Sequence, residues 1–220
     1  WGFNRCTGQW IGDTLDGCID QDLSKIFLLL INGLIMEIKF HKVLLKKRFP
    51  LAISRGVRGD SYNLFLSYEK DGLVGWGEAA PGKNEKAETV EQMQDQLTAF
   101  LEEGIESSTT ESLNDRAKQT GIAPCSYAAL DIAIWDWKAK KAQLPLHQLL
   151  QLPRPQVPTS LTLGIIPPDQ VKERIRLMLK NTSAKALKIK LGSPQGIEAD
   201  QQMFAQVIES TQESQLKIRV

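Results

Sequence analysis

Beyond the proline-rich stretch "LPRPQVP" (residues 152–158) the chain takes up a new rhythm and keeps to it. Short apolar runs, "VPTSLTLGI", "ALKIKLG" and "LKIRV", alternate with two amphipathic segments, "PPDQVKERIRLMLKN" and "GIEADQQMFAQVIEST". A strand–helix–strand–helix–strand order leaves few folds open. Strands joined through a helix pair in parallel, and the crossover is right-handed. Three such strands make a small open sheet, or the opening of a (β/α)8 barrel, which takes roughly 250 residues by itself.

The middle run carries a puzzle. Leu187, Ile189 and Leu191 read as a buried face, yet Lys188 and Lys190 alternate with them. Residues two apart on a strand share a face, so the two ammonium groups project together. An edge strand with a solvated face explains them, since lysine there blocks aggregation. A barrel strand also explains them: the lysines then point inward, at the C-terminal end where barrel active sites lie. A free lysine is almost fully protonated at neutral pH and is a poor base. A second ammonium close by, and burial, both disfavour the charged form. On that reading one lysine acts as a base and its neighbour tunes it.

The part before the proline break has a different plan. "MEIKFHKVLL" alternates like a strand, and "YNLFLSYEKDGLVGWGEAA" reads as a hairpin turning at Asp71-Gly72, a dipeptide suited to a type I′ turn. "FPLAISRGVRGDS" between them reads as a loop. Helices follow. "ETVEQMQDQLTAFLEEG" sets Val90, Met93, Leu97 and Phe100 on one stripe, and "TTESLNDRAKQTG" is a shorter polar helix. "PCSYAALDIAIWDWKAKKAQ" is apolar almost all round, as a buried helix is, with Pro124 in its first turn and Lys138, Lys140 and Lys141 at its end. The domains expected are therefore 36–153, an α+β unit, and 154–220, a βα series. Residues 1–35 have no clear period, and their apolar run "KIFLLLINGLI" is too short to span a bilayer. They are expected to be an extension and not a domain.

Bulk properties narrow the function classes. A formal net charge of +1 gives no reason to expect nucleic acid or an anionic membrane as partner. Three scattered cysteines argue against a disulfide framework and for a reducing, cytoplasmic setting. Two histidines and no H-E-x-x-H argue against a zinc site.

Three motifs, taken in order, resemble the enolase superfamily in its muconate-lactonizing-enzyme branch. "GLVGWGEAAP" is similar to the hairpin end of that family's capping domain, "AALDIAIWDWKAKKAQLPLHQLL" to its A-L-D-x-A-x-W-D helix and following turn, and "LKIKLG" to its K-x-K strand. "LAISRGVRGDS" and "LKIKLG" are most similar to dipeptide epimerases of the L-Ala-D/L-Glu type. The resemblance implies an α+β capping domain followed by the first βα units of an incomplete (β/α)8 barrel. It implies removal of the proton α to a carboxylate, through a Mg²⁺-stabilised enediolate. It makes Lys190 the acid/base lysine and Lys188 its tuning partner. It implies a small carboxylate or dipeptide substrate, and it is compatible with a homo-oligomer. The family's Mg²⁺ ligands are acidic residues at the ends of later strands and are expected after Val220, as is a second lysine on the opposite face. The 220 residues alone are thus expected to be inactive. A muconate cycloisomerase, an o-succinylbenzoate-synthase-like enzyme and a non-catalytic α+β binding module are the alternatives.

The remaining candidates have ordinary readings beside the functional ones. Arg55 and Arg58 lie in the loop that, by resemblance, reaches over the barrel mouth; a guanidinium there holds a substrate carboxylate, or is simply solvated. Thr162 ends the first barrel strand, where its hydroxyl lines the site or it serves as a β-former. Asp131 and Asp136 are five apart on a helix, about 140° of rotation, and do not converge on one ion. Glu78 follows "GWG" and is expected to make a contact between domains; "VGWG" lacks the third glycine of a dinucleotide fingerprint. Relatives usually carry a Gly-Gly-type turn after "PLHQLL", where this chain has Gln151 and Leu152.

Overall fold

A computed structural model describes residues 26–31, 34–83, 85–105, 108–154, 156–180, 182 and 184–220, with side chains from Met36 onward. It divides into two compact units: Trp1–Leu45 with Ser61–Arg154, and Lys46–Asp60 with Pro155–Val220. The division after Arg154 lies inside the proline-rich stretch 152–158. The assignment of Lys46–Asp60 to the second unit is the feature that chain order hides.

The first unit is an antiparallel sheet backed by helices. Its strands β1 (Ile26–Ile31), β2 (Leu34–Leu45), β5 (Ser61–Lys70) and β6 (Leu73–Ala79) run in the order β1-β2-β5-β6. Residues 1–25 of the expected extension lie outside the described residues. Ile26–Ile31, however, is part of the sheet, paired along β2 from Ile26↔Lys39 to Ile31↔Leu34. The β5–β6 hairpin turns where the sequence says: Asp71 and Gly72 have φ of 55° and 71°, the left-handed pair that a type I′ turn needs.

Helices α1 (Val90–Glu102) and α3 (Pro124–Lys141) pack on this sheet, and α2 (Thr110–Thr120) packs on α3. The stripe of α1, Val90, Met93, Leu97 and Phe100, is buried as its spacing requires. Thr89 caps α1 by accepting the Gln92 N–H at 3.1 Å. Thr89→Ala should therefore cost about 1 kcal/mol in a urea melt; an unchanged midpoint would show that the cap contributes nothing.

Helix α3 is the centre of the unit. Ala129, Leu130 and Ala133 are fully buried. Its end is tied to the hairpin: Trp137 Nε1 donates to the Lys70 carbonyl at 2.8 Å, and Lys141 pairs with Asp71 at 2.7 Å. Asp136 accepts the Trp76 N–H at 2.8 Å and pairs with Lys140 at 2.7 Å, the structural role expected of it. Glu78 is held inside the same unit by the Asn63 amide at 2.6 Å. After the short α4 (Leu146–Leu149), Gln151 itself takes the positive φ (55°) of the missing glycine, and the Leu152 N–H closes onto the His147 carbonyl at 2.7 Å.

The second unit holds the parallel strands β7 (Ser160–Leu163), β8 (Ala186–Ile189) and β9 (Lys217–Arg219), in that order. Their crossovers are α5 (Val171–Leu179) and α6 (Ile197–Thr211). Leu163, Leu187, Ile189, Val171, Ile175, Met203 and Val207 form its core. "LAISRGVR", read from sequence as a loop, is instead a hairpin of β3 (Leu51–Ile53) and β4 (Gly56–Arg58). Ser54 and Arg55 form its turn, and Gly56 at φ 127° lets so tight a reversal close.

Candidate active site

The period-two argument for the lysines holds in three dimensions. Leu161, Leu187 and Ile218 sit in one row across β7, β8 and β9, and all three pack into the core with the helices. The next row is Thr162, Lys188 and Arg219. Paired residues of a parallel sheet share a face, so this row stands on the side away from α5 and α6. Lys190 lies one step further along that face; its N–H still belongs to the ladder, donating to the Leu163 carbonyl at 3.0 Å. The structure thus brings Thr162, Lys188 and Lys190 together at the C-terminal ends of two parallel strands.

Enclosure differs from the sequence expectation. Lys188 is exposed and Lys190 half-buried, because no covering layer lies on their face among the described residues. Neither ammonium has an ion-pair partner among those residues. Arg219 is the group the sequence reading missed. It stands in "LKIRV" as Lys188 does in "LKIK", so the same alternation could have found it. Like charges facing each other across strands are destabilising by themselves. A row with Lys188 beside Arg219, and Lys190 next along, is therefore a face that attracts an anion.

The β3–β4 hairpin sits on these strand ends. The Ala52 carbonyl accepts the Ile165 N–H at 2.9 Å, just past β7. Gly164 makes that seat possible: a Cβ there would lie 2.9 Å from both the N and the O of Ala52. A Cβ at Gly192, just past β8, would likewise lie 2.9 Å from the Ser54 Cβ. The repeated strand–glycine ending, "LTLG" and "KIKLG", was the legible signal for both. The seated hairpin presents Arg55 in its turn and Arg58 at its far end; both are exposed and neither has a partner among the described residues. They are held on the hairpin, and no contact joins them to Lys188 or Lys190.

Below the hairpin is a cleft of about 380 Å³. Ile53 and Val57 line it from the hairpin, Ile165 and Pro167 from the segment after β7, Pro194 and Met203 from the segment after β8 and from α6. Such a lining suits an apolar group. Metal ligation is another matter. Among the described residues no three His, Cys, Asp or Glu come together where they could share an ion. The strand-end side chains are a hydroxyl and three cations, which do not suit Mg²⁺. No helix among the described residues is long and apolar enough to cross a membrane.

Comparison with known proteins adds to this geometry. Residues 35–151 match the model of the mandelate racemase / muconate lactonizing enzyme N-terminal domain. The chain is 59% identical over 185 residues to a hydrophobic dipeptide epimerase of a Flavobacteria bacterium, covering 84% of this chain and 53% of that protein. It is 51% identical, with the same coverage, to a hydrophobic dipeptide epimerase of Roseobacter litoralis. The crystal structure of a dipeptide epimerase from Enterococcus faecalis, complexed with Mg and the dipeptide L-Leu-L-Tyr, superposes with a TM-score of 0.68 at 30% identity, covering 82% of this chain and 51% of that one. The chain spans about half the length of the curated relatives it matches.

Proposed function

From the premise that this chain belongs to the mandelate racemase / muconate lactonizing enzyme family, we propose that it is part of a Mg²⁺-dependent epimerase of dipeptides. The observation that carries the reading is the lysine face: Lys188 and Lys190 share one side of β8, at strand ends seated beneath an arginine-bearing hairpin. In a dipeptide the hydrogen α to the terminal carboxylate is on the C-terminal residue. Lys190 takes that proton, and the carbon–hydrogen electron pair moves into the carboxylate to give an enediolate. Lys188 is a second cation beside the base and beside the charge that develops. A proton returned to the opposite face completes epimerisation, and the base for that step is expected outside these residues. So are the ligands of Mg²⁺, for which the described residues hold no donor set. Thr162 is assigned to line the site through its hydroxyl, and Arg55 and Arg58 to hold the far end of the substrate.

The names of the two relatives favour dipeptides with an apolar side chain; the apolar cleft lies beside the same hairpin but is not lined by Lys188 or Lys190. Arg55, free at the hairpin turn, favours a second reading in which an acidic side chain is held, as an L-Ala-D/L-Glu substrate would require. Both are tested together. A protein of the relatives' length containing this chain is incubated in D₂O with Mg²⁺ and an L,L-dipeptide of apolar residues, or with L-Ala-L-Glu. Deuterium should enter the α-carbon of the C-terminal residue, faster in the apolar dipeptide. Faster exchange of L-Ala-L-Glu would support the second reading. Exchange in neither substrate would end the proposal.

A further inference from the structure

The backbone immediately after Lys190 hangs on one buried carboxylate. Asp200, in the first turn of α6, is only 7% exposed. Its Oδ2 accepts the Gly192 N–H at 2.8 Å, and its Oδ1 accepts the Ser193 N–H at 3.0 Å, with a longer contact from Ser193 N–H to Oδ2 at 3.3 Å. No cation pairs with it among the described residues, so these backbone donors are what compensate its removal from water. The turn it grips has two other duties. Gly192, at φ 98°, is the residue on which Ser54 of the hairpin rests, and Ser193 lines the apolar cleft. Only Leu191 separates Gly192 from Lys190, and Leu191 is packed against the core.

We propose that Asp200 is a positioning residue. By holding two consecutive N–H groups it fixes the exit of β8, and through that the direction of Lys190 and the seat of the β3–β4 hairpin. The part concerning Lys190 rests on the dipeptide-epimerase reading; the part concerning the hairpin does not. Asparagine distinguishes positioning from mere space filling, since it has the same shape. Its single oxygen replaces only one of the two carboxylate oxygens, so the amide placed at the other faces a backbone N–H donor to donor, and the negative charge is lost.

The test is residue-resolved hydrogen exchange on a protein of the relatives' length containing this chain, comparing wild type, Asp200→Asn and Asp200→Glu, with kcat and KM from the same preparations. In Asp200→Asn, exchange at Gly192 and Ser193 should rise about tenfold or more. The Ile165 N–H, which reports the hairpin seat through Ala52, should rise with them, while amides of α1 and α3 stay unchanged. The kcat should fall about tenfold with KM little moved, as for a misplaced base. A rise confined to Gly192 and Ser193, with the Ile165 amide and kcat unmoved, would overturn the proposal. So would an equal rise throughout the chain, which would mean a structural role alone. Should the Asn variant not fold, the Glu variant, which keeps the charge one methylene too far out, is read by the same two criteria. If wild type shows no α-proton exchange, the function reading fails, and the Ile165 amide still decides whether Asp200 seats the hairpin.

Discussion

Lys190→Ala, in a protein of the relatives' length containing this chain, should remove α-proton exchange by about a thousandfold or more, within the range general-base removal produces. The ground is geometric. Lys190, just past β8, still donates its N–H to the Leu163 carbonyl of β7, and it stands half-buried on the face away from the helices. The row paired beside it, Thr162, Lys188 and Arg219, holds no carboxylate, histidine or cysteine. The fold should survive the change, because the side chain contributes nothing to the core formed by Leu187, Ile189 and their helix partners. Lys188→Ala should reduce exchange less, since it leaves the base in place. Deuterium incorporation followed by proton NMR separates the two. Wild-type exchange in Lys190→Ala, with an unchanged melting profile, would dismiss Lys190 from the chemistry.

Gly77→Ala should be the most damaging single methyl group in the first unit. A Cβ at 77 would lie 1.8 Å from the Ala129 carbonyl oxygen and 2.9 Å from the Ala133 nitrogen. At Gly75 it would lie 2.1 Å from the Ala133 carbonyl and 2.7 Å from the Trp137 nitrogen. Every one of these atoms is backbone of α3, so no side chain can rotate away. Helix α3 must lift from β6, yet Ala129, Leu130 and Ala133 are fully buried and α3 also packs on α1 and α2. Lifting it opens the core along its length, and the loss should reach about 3 kcal/mol or more, the upper range for overpacking. Gly72→Ala is the control. It meets nothing within 4 Å and has only its left-handed φ of 71° to pay for, about 1–2 kcal/mol. Urea unfolding of all three chains should place Gly77→Ala well below Gly72→Ala. Equal midpoints would mean that β6 and α3 are not in backbone contact.

These two cases show where local reading of the sequence suffices. The side on which Lys190 stands follows from alternation alone, because a strand has a period of two and Leu187, Ile189 and Leu191 had to face the core. The turn at Asp71-Gly72, the buried stripe of α1 and the parallel order of β7, β8 and β9 follow likewise from neighbours in the chain. The glycines of "VGWG" are different. "VGWG" could be excluded as a nucleotide fingerprint, but its purpose is set by a helix more than fifty residues later, and no local pattern announces that contact.

The sequence by itself determined the periods: which face is apolar, where strands give way to helices, where the hairpin turns, and that two lysines share a side. Those follow from backbone geometry, which repeats every two or 3.6 residues. Tertiary structure alone decided that Lys46–Asp60 joins the βα unit, that Lys188 is exposed, that Arg219 lines up beside it and that Asp200 grips the exit of β8. Each of these is a meeting of segments distant in the chain. Such meetings depend on how packed elements close on one another, and no repeat along the chain encodes them.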